Sequence, residues 1–199
     1  MNVYDFDETI FTGDTEDRFF KFMFAKKGFR HYKIKWDFYD RLHKLGLITK
    51  TKMREGQYKF LKDIDDLDKT LEEYWAEIEQ YMKPWYYEAK RDDDVIASGT
   101  PRFILEPIVK KLGIAGLVAT EMDTKTGKID GDFAVGEFKI VNFKKQYSLD
   151  SIDKFYSDAY SDHYLADYAK EAYIVHGEND EITEWTEFFM QHPDKMVIK

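Results

Sequence analysis

The chain has 199 residues, enough for one compact domain or for one domain carrying a sizeable insertion. Hydrophobic residues make up 43% of it, so a real core is available, while a formal charge of −9 argues against nucleic acid or an anionic membrane as the main partner. With no cysteine, disulfides, zinc–thiolate sites and thiol chemistry are excluded, and no apolar run reaches the length of a membrane span.

The chain begins with a short apolar stretch, Asn2-Val3-Tyr4, which reads as a strand and leads into Asp5-Phe6-Asp7-Glu8-Thr9-Ile10. Two carboxylates converging at a strand end can bind a hard cation, form a covalent intermediate, or act as an acid and base pair. A calcium loop of the EF-hand kind fits poorly, because its sixth position requires glycine and here holds Ile10. Removal of a signal peptide would take this stretch with it, so the expected location is cytoplasmic.

Residues 12–90 read as helical throughout. Thr12-Gly13-Asp14-Thr15 supplies a turn and a cap, with Asp14 or Thr15 capping a helix from Glu16 whose apolar face is Phe19, Phe20, Phe22, Met23 and Phe24. The spacing predicts a second helix from Tyr32 to Lys44, with Ile34, Phe38 and Leu42 on one stripe, stopping at Gly46. A third begins after Thr49 and carries Met53, Tyr58, Phe60 and Leu61. A fourth covers about 67–82, with Leu71, Tyr74, Trp75, Ile78 and Met82 on its apolar face before Pro84. Short links make neighbours antiparallel, giving a four-helix segment.

From Asp94 the pattern changes. Val95-Ile96-Ala97 reads as a buried strand, followed by Ser98-Gly99-Thr100-Pro101 and a helix from Arg102 to Leu112. Leu117–Thr120 is a further strand, Thr124–Lys128 a hairpin turn with Ile129 and Phe133 in the returning arm, and Phe138–Tyr147 a helix. Lys154–Ser157 is a strand, a helix begins near Asp162, and strands at Ala172–Val175 and Met196–Ile198 close the series. Strands alternating with helices predict right-handed crossovers and a mostly parallel, Rossmann-like sheet flanked by helices. That sheet must reclaim the first strand, so residues 1–11 and 91–199 are expected to form one α/β core and residues 12–90 a separate helical cap. In such sheets ligands bind at the carboxyl ends of the strands, where Asp5, Ser98 and Asp158 fall.

Four segments in this order resemble the motifs of the haloacid dehalogenase (HAD) superfamily phosphatases, in the branch similar to phosphoserine phosphatase. Asp5-Phe6-Asp7-Glu8-Thr9 resembles the first motif and Ser98-Gly99-Thr100-Pro101 the second. Lys139 in Gly136-Glu137-Phe138-Lys139 resembles the third, with Lys144 and Lys145 as alternatives. Asp158 and Asp162 resemble the fourth, and the helical segment stands where that branch carries its C1 cap.

The resemblance implies a phosphatase acting on a small phosphorylated metabolite through an aspartyl phosphate on Asp5. Magnesium would be held by the carboxylates of Asp5 and Asp158 and the backbone carbonyl of Asp7, with Asp162 supporting its waters. Asp7 would serve as acid and then base. Ser98, Lys139 and backbone N–H groups near Phe6, Asp7 and Gly99 would bind the phosphoryl group. In the cap, Asp14 and Arg54 stand for the residues that recognise the rest of the substrate. Trp36, Trp75, Tyr32 and Tyr58 would line an apolar pocket or fill the cap core. The rival readings are a phosphotransferase with the same intermediate and a non-catalytic phosphometabolite-binding protein; no protein partner is indicated.

Overall fold

The fold is that of a computed structural model, which describes residues 1–131, 133–177 and 179–197. Strand β1 (Asn2–Tyr4) lies in the middle of a six-stranded sheet, between β2 (Val95–Pro101) and β6 (Lys154–Ser157), and is parallel to both. Beyond β2 lies β3 (Gly116–Thr120); beyond β6 lie β7 (Glu171–His176) and, at the edge, β8 (Glu181–Glu184), which alone runs antiparallel. Val3 stands opposite both Val95 and Phe155. Successive strand residues point to opposite faces. Accordingly Tyr4, Ile96 and Leu117 enter one apolar cluster while Val3, Val95, Val118, Phe155 and Ile174 enter the other. A three-residue strand carries the middle of the sheet because both of its faces are covered.

The first face is covered by α6 (Arg102–Leu112), through Ile104, Leu105, Ile108 and Val109. The second is covered by Phe143 of α7 (Glu137–Lys144), Leu165 of α8 (His163–Ala166), and Trp185, Phe188 and Phe189 of α9 (Trp185–Gln191). A small hairpin, β4 (Met122–Asp123) with β5 (Lys128–Ile129), rises between β3 and α7 as the turn chemistry predicts, with Phe133 buried beyond it.

Between β1 and β2 run α1 (Thr15–Ala25), α2 (Tyr32–Lys44), α3 (Lys50–Gln57), α4 (Leu67–Ile78) and a short α5 (Pro84–Ala89). Asp14 is the cap of α1, its Oδ1 accepting from Asp17 N at 2.7 Å, and Thr49 caps α3.

Four expectations need correction. Tyr58, Phe60 and Leu61 lie in a 3₁₀ turn (Tyr58–Asp63) rather than in α3, and α5 was not foreseen. The Ile34–Phe38 stripe of α2 faces outward, because the opposite face, with Tyr32 and Trp36, takes the interior. Finally, Met196 and Val197 follow a 3₁₀ turn (Pro193–Lys195) and are not a strand, and Ile198 lies outside the described residues. The place beside β7 belongs to β8, whose Glu-Ile-Thr-Glu sequence offers no run of apolar residues to betray it.

The helical segment does not keep its apolar interior to itself. One cluster runs from Tyr4 and Phe6 through Phe19, Phe60 and Trp75 to Ile104 and Leu105. The Trp75 indole N–H donates to the carbonyl of Ile104 at 2.6 Å, tying α4 to α6. Phe6 and Phe11 stack on one another with Trp75 against the edges of both. Trp75→Ala is therefore expected to cost about 3–5 kcal/mol and to lower a single unfolding transition followed by near-UV circular dichroism. Two separate transitions, only one of them displaced, would mean that cap and core unfold independently.

Candidate active site

The carboxyl ends of β1, β2 and β6 meet at one cleft of about 230 Å³, closed from above by α1 and α3. Asp5 follows β1 directly, and its N–H donates to the Tyr156 carbonyl at 2.9 Å, so the sheet ladder fixes it. Lys139, one turn into α7, reaches across with its Nζ 2.9 Å from Asp5 Oδ1 and 2.7 Å from Asp162 Oδ2. The Ser157 hydroxyl donates to that same Asp162 oxygen at 2.8 Å. Burial opposes the Lys139 ammonium, yet the Asp162 and Asp5 charges outweigh it and hold its pKa up. Burial lifts Asp5 well above the usual carboxylate range; Lys139 opposes the rise, and Asp162 and Asp158 add to it. One ammonium thus serves a neighbourhood of three carboxylates.

Asp7 has a different environment. Its Oδ1 accepts from the N–H and the hydroxyl of Thr15, both at 2.7 Å, and its Oδ2 accepts from the Thr100 hydroxyl at 2.7 Å. Tyr74 in turn donates its hydroxyl to the Thr15 carbonyl. Burial first, then the nearby Asp14 charge, push Asp7 up to about 7, against the three hydrogen bonds that favour its charged form. Ser98 Oγ accepts from Thr100 N at 3.1 Å, which turns the β2 end inward. Gly99 admits no side chain, because a Cβ there would stand 2.6 Å from Val135 Cγ1.

Asp5, Asp7, Asp14, Arg54, Ser98, Gly99, Lys139 and Asp162 all line this cleft. Lys139, rather than Lys144 or Lys145, is the lysine that reaches it. Phe6 does not line it; its ring is buried against Phe11 and Trp75. Asp158 lies beside the cleft, its Oδ1 accepting from the Thr9 hydroxyl at 3.4 Å, with Ala159 forming the wall between. Crowding by the surrounding protein, then the Asp162 charge, push Asp158 upward, although solvent reaches its side chain.

The cap side departs most from expectation. Asp14 is occupied as the α1 cap, and the acid facing Arg54 is Glu16, two residues on, at 2.9 Å. Glu16 is buried and Arg54 half-buried, and Arg54 Nε has no hydrogen-bond partner among the described residues. Trp36, Trp75, Tyr32 and Tyr58 are absent from the cleft lining, which carries charged groups and, as its one aromatic ring, Phe133.

Thr15, Thr100, Glu16 and Lys83 escaped the sequence reading. Lys83 is nearly buried and donates its ammonium to the Glu8 carbonyl at 2.6 Å while pairing with Asp180 at 2.7 Å. Its own N–H donates to the Ile10 carbonyl at 2.9 Å. Glu8 and Asp180 both have left-handed backbones, with φ of 58° and 54°, a costly geometry for side-chain-bearing residues. Lys83 thus clamps the turn that carries Asp7. A lone lysine before a proline gives no sequence signal of that role.

The family model for haloacid dehalogenase-like hydrolases matches residues 3–167, a span that includes every element of this cleft. The chain belongs to that family. No curated protein matches it. Among solved structures, a Bordetella pertussis protein described as of unknown function is similar over 100% of this chain and 97% of its own, at 18% identity and a TM-score of 0.77. A probable phosphoserine phosphatase from Vibrio cholerae is similar over 85% of this chain and 54% of its own, at 14% identity and a TM-score of 0.61. A phosphoserine phosphohydrolase-like protein from Francisella tularensis is similar over 86% of each chain, at 18% identity and a TM-score of 0.53. At these identities the likeness is one of fold.

The raised Asp7 value has a consequence for stability. An unfolded Asp7 titrates near 3.8 and the folded one near 7, so between those values the folded state binds more protons. Its contribution is fully present below the lower value and is lost as pH rises through the higher one. In EDTA, thermal unfolding midpoints should fall as pH rises across this window, and Asp7→Asn should flatten the fall. A variant with the wild-type slope would show that Asp7 titrates normally.

Proposed function

We propose that this family member is a magnesium-dependent phosphomonoesterase that works through an aspartyl phosphate on Asp5. The observation that carries the reading is the contact between Asp5 and Lys139, two residues before an Asp7 whose carboxyl keeps its proton near neutrality.

With Oδ1 held by Lys139, Asp5 would present its other oxygen to phosphorus. The new P–O bond forms as the bond to the leaving alcohol breaks, and Asp7 gives its proton to the departing oxygen. Asp7, now a carboxylate, takes a proton from water, whose oxygen attacks phosphorus to release phosphate and regenerate Asp5. Ser98, Lys139 and the backbone near Gly99 would stabilise the phosphoryl oxygens.

The residues fit a magnesium ion. Among the described residues no three acidic or histidine side chains converge into a ready-made cage. Asp162 is engaged by Lys139 and Ser157, and Asp7 by its threonines. Asp5, which shares Oδ1 with Lys139, and Asp158 would be the carboxylate ligands, joined by the Asp7 carbonyl: few protein ligands, all oxygen, as magnesium prefers. The excess of carboxylates over Lys139 is what a divalent cation would relieve. When bound, it would offset the repulsion between Asp5 and the phosphate. For the leaving group, Arg54, Glu16 and Lys50 give the cap side of the cleft both signs of charge. Together with the small volume, this favours a compact, charged alcohol over an apolar one.

The test is steady-state hydrolysis of p-nitrophenyl phosphate and of a panel of alkyl phosphates, with magnesium and with EDTA. Asp5→Asn should abolish turnover in a folded protein. Asp7→Asn should lose about a hundred- to ten-thousand-fold in kcat on alkyl phosphates and far less on p-nitrophenyl phosphate, whose phenolate needs no proton to leave. Equal losses on both substrates would remove Asp7 from the acid role. Alcohol phosphorylation outpacing phosphate release would make the protein a phosphotransferase.

A further inference from the structure

The stripe that the spacing predicts for the interior of α2 lies on the outside. Ile34 is 74% exposed, Phe38 56%, and beyond the helix Leu45 and Leu47 are 66% and 67% exposed. The inward face is made of Tyr32, Trp36 and Tyr39, so α2 is apolar on two sides. At 100° per residue, Ile34, Phe38 and Leu45 share one narrow sector, with Arg41 on one flank and Lys35 on the other.

The charge around this face is the reverse of the chain's. Between Lys27 and Lys44 there are six Lys and Arg against two Asp, a local charge of +4 within a total of −9. Lys27, Arg30, Lys33, Lys35, Arg41 and Lys44 are all exposed. Asp37 and Asp40 pair with Lys33 and Lys44 along the helix, and Lys26 pairs with Glu73. The whole-chain charge, which argues against an anionic membrane, averages over a surface that is segregated.

We propose that the outer face of α2, with the Leu45–Leu47 turn, docks this protein on an anionic lipid surface. A convex helix showing Ile, Phe and Leu between rows of Lys and Arg is built to lie in a headgroup layer, apolar side down and cations level with the lipid charges. A second copy is the weaker fit. Two such faces brought together by a two-fold axis would oppose +4 with +4, and a basic face on the acidic side of another copy makes a head-to-tail contact that gives rings or filaments rather than a dimer. Docking also has a bearing on the cleft, because α2 packs on α3, the helix that brings Lys50 and Arg54 to it. The proposal does not depend on the catalytic reading.

The experiment is co-sedimentation of the full chain with sucrose-loaded vesicles of phosphatidylglycerol and phosphatidylcholine, beside vesicles of phosphatidylcholine alone. Binding is expected on the anionic vesicles only and should weaken as salt is raised. The triple variant Ile34→Ser, Phe38→Ser, Leu45→Ser should lose it. The double variant Lys35→Glu, Arg41→Glu should bind at least about thirtyfold more weakly, as the loss of two cations at about 1 kcal/mol each implies. These side chains are exposed, so unchanged melting curves are expected and distinguish lost docking from lost fold. Absence of binding, equal binding to both vesicle types, or wild-type binding by the folded triple variant would overturn the proposal. So would a concentration-dependent dimer in sedimentation equilibrium that the triple variant abolishes.

Discussion

The site depends on one buried ammonium. Lys139 stands between Asp5 and Asp162, and all three are almost withdrawn from solvent. A charge in such a place is tolerable only with a partner at contact distance and its remaining hydrogen bonds made. That requirement ties together the end of β1, the loop after β6 and the first turn of α7, three segments far apart in the chain. It also explains why the loop before α7 folds closely over β2: Val135 rests against Gly99, and only a residue without a side chain leaves room for it.

Two aspartates separated by a single residue have different neighbours in this arrangement, although burial raises the pKa of both. Asp5 touches a cation; Asp7 touches three hydrogen-bond donors and no cation, and burial keeps its proton on to about neutral pH. The difference in neighbours is set from outside the motif. Thr15 comes from the cap and Thr100 from β2. Lys83, on the strand of chain that returns from the cap, fixes the left-handed Glu8 between the motif and the edge hairpin.

Much of this was legible in the sequence because it rests on local chemistry. β1, β6, α2 and α6 appear where composition and spacing place them, whereas Lys139 is named by its resemblance to the third motif, with Lys144 and Lys145 left open. What was not legible depends on tertiary partners. Thr15 reads as a helix cap, and nothing local says that its hydroxyl and N–H are turned to Asp7. Asp14 sits near the offset that the resemblance implies, yet it is consumed by capping, and Glu16, two residues on, is the acid that reaches Arg54. In α2 periodicity identified an apolar stripe correctly, but with a second apolar face on the same helix it could not say which one the fold would bury. β8 has no signature at all, since its pairing with β7 is made by the backbone.

The distribution of charge links the two ends of the molecule. A chain with a total of −9 repels a phosphate ester at long range, and a cleft built around Asp5, Asp7, Asp14, Glu16 and Asp162 would do so even more at short range. Lys139 cannot offset that alone, because it is already shared between two carboxylates. On the helical side, Lys50 and Arg54 of α3 line the cleft, Arg54 paired with Glu16, and the cations of α2 lie on the outer surface. The helical segment shares one apolar cluster with the sheet through Trp75, Phe11 and Phe6. Lys50 and Arg54 thus reach the cleft from a helix outside the sheet, held in place by the same apolar cluster that supports the turn after β1.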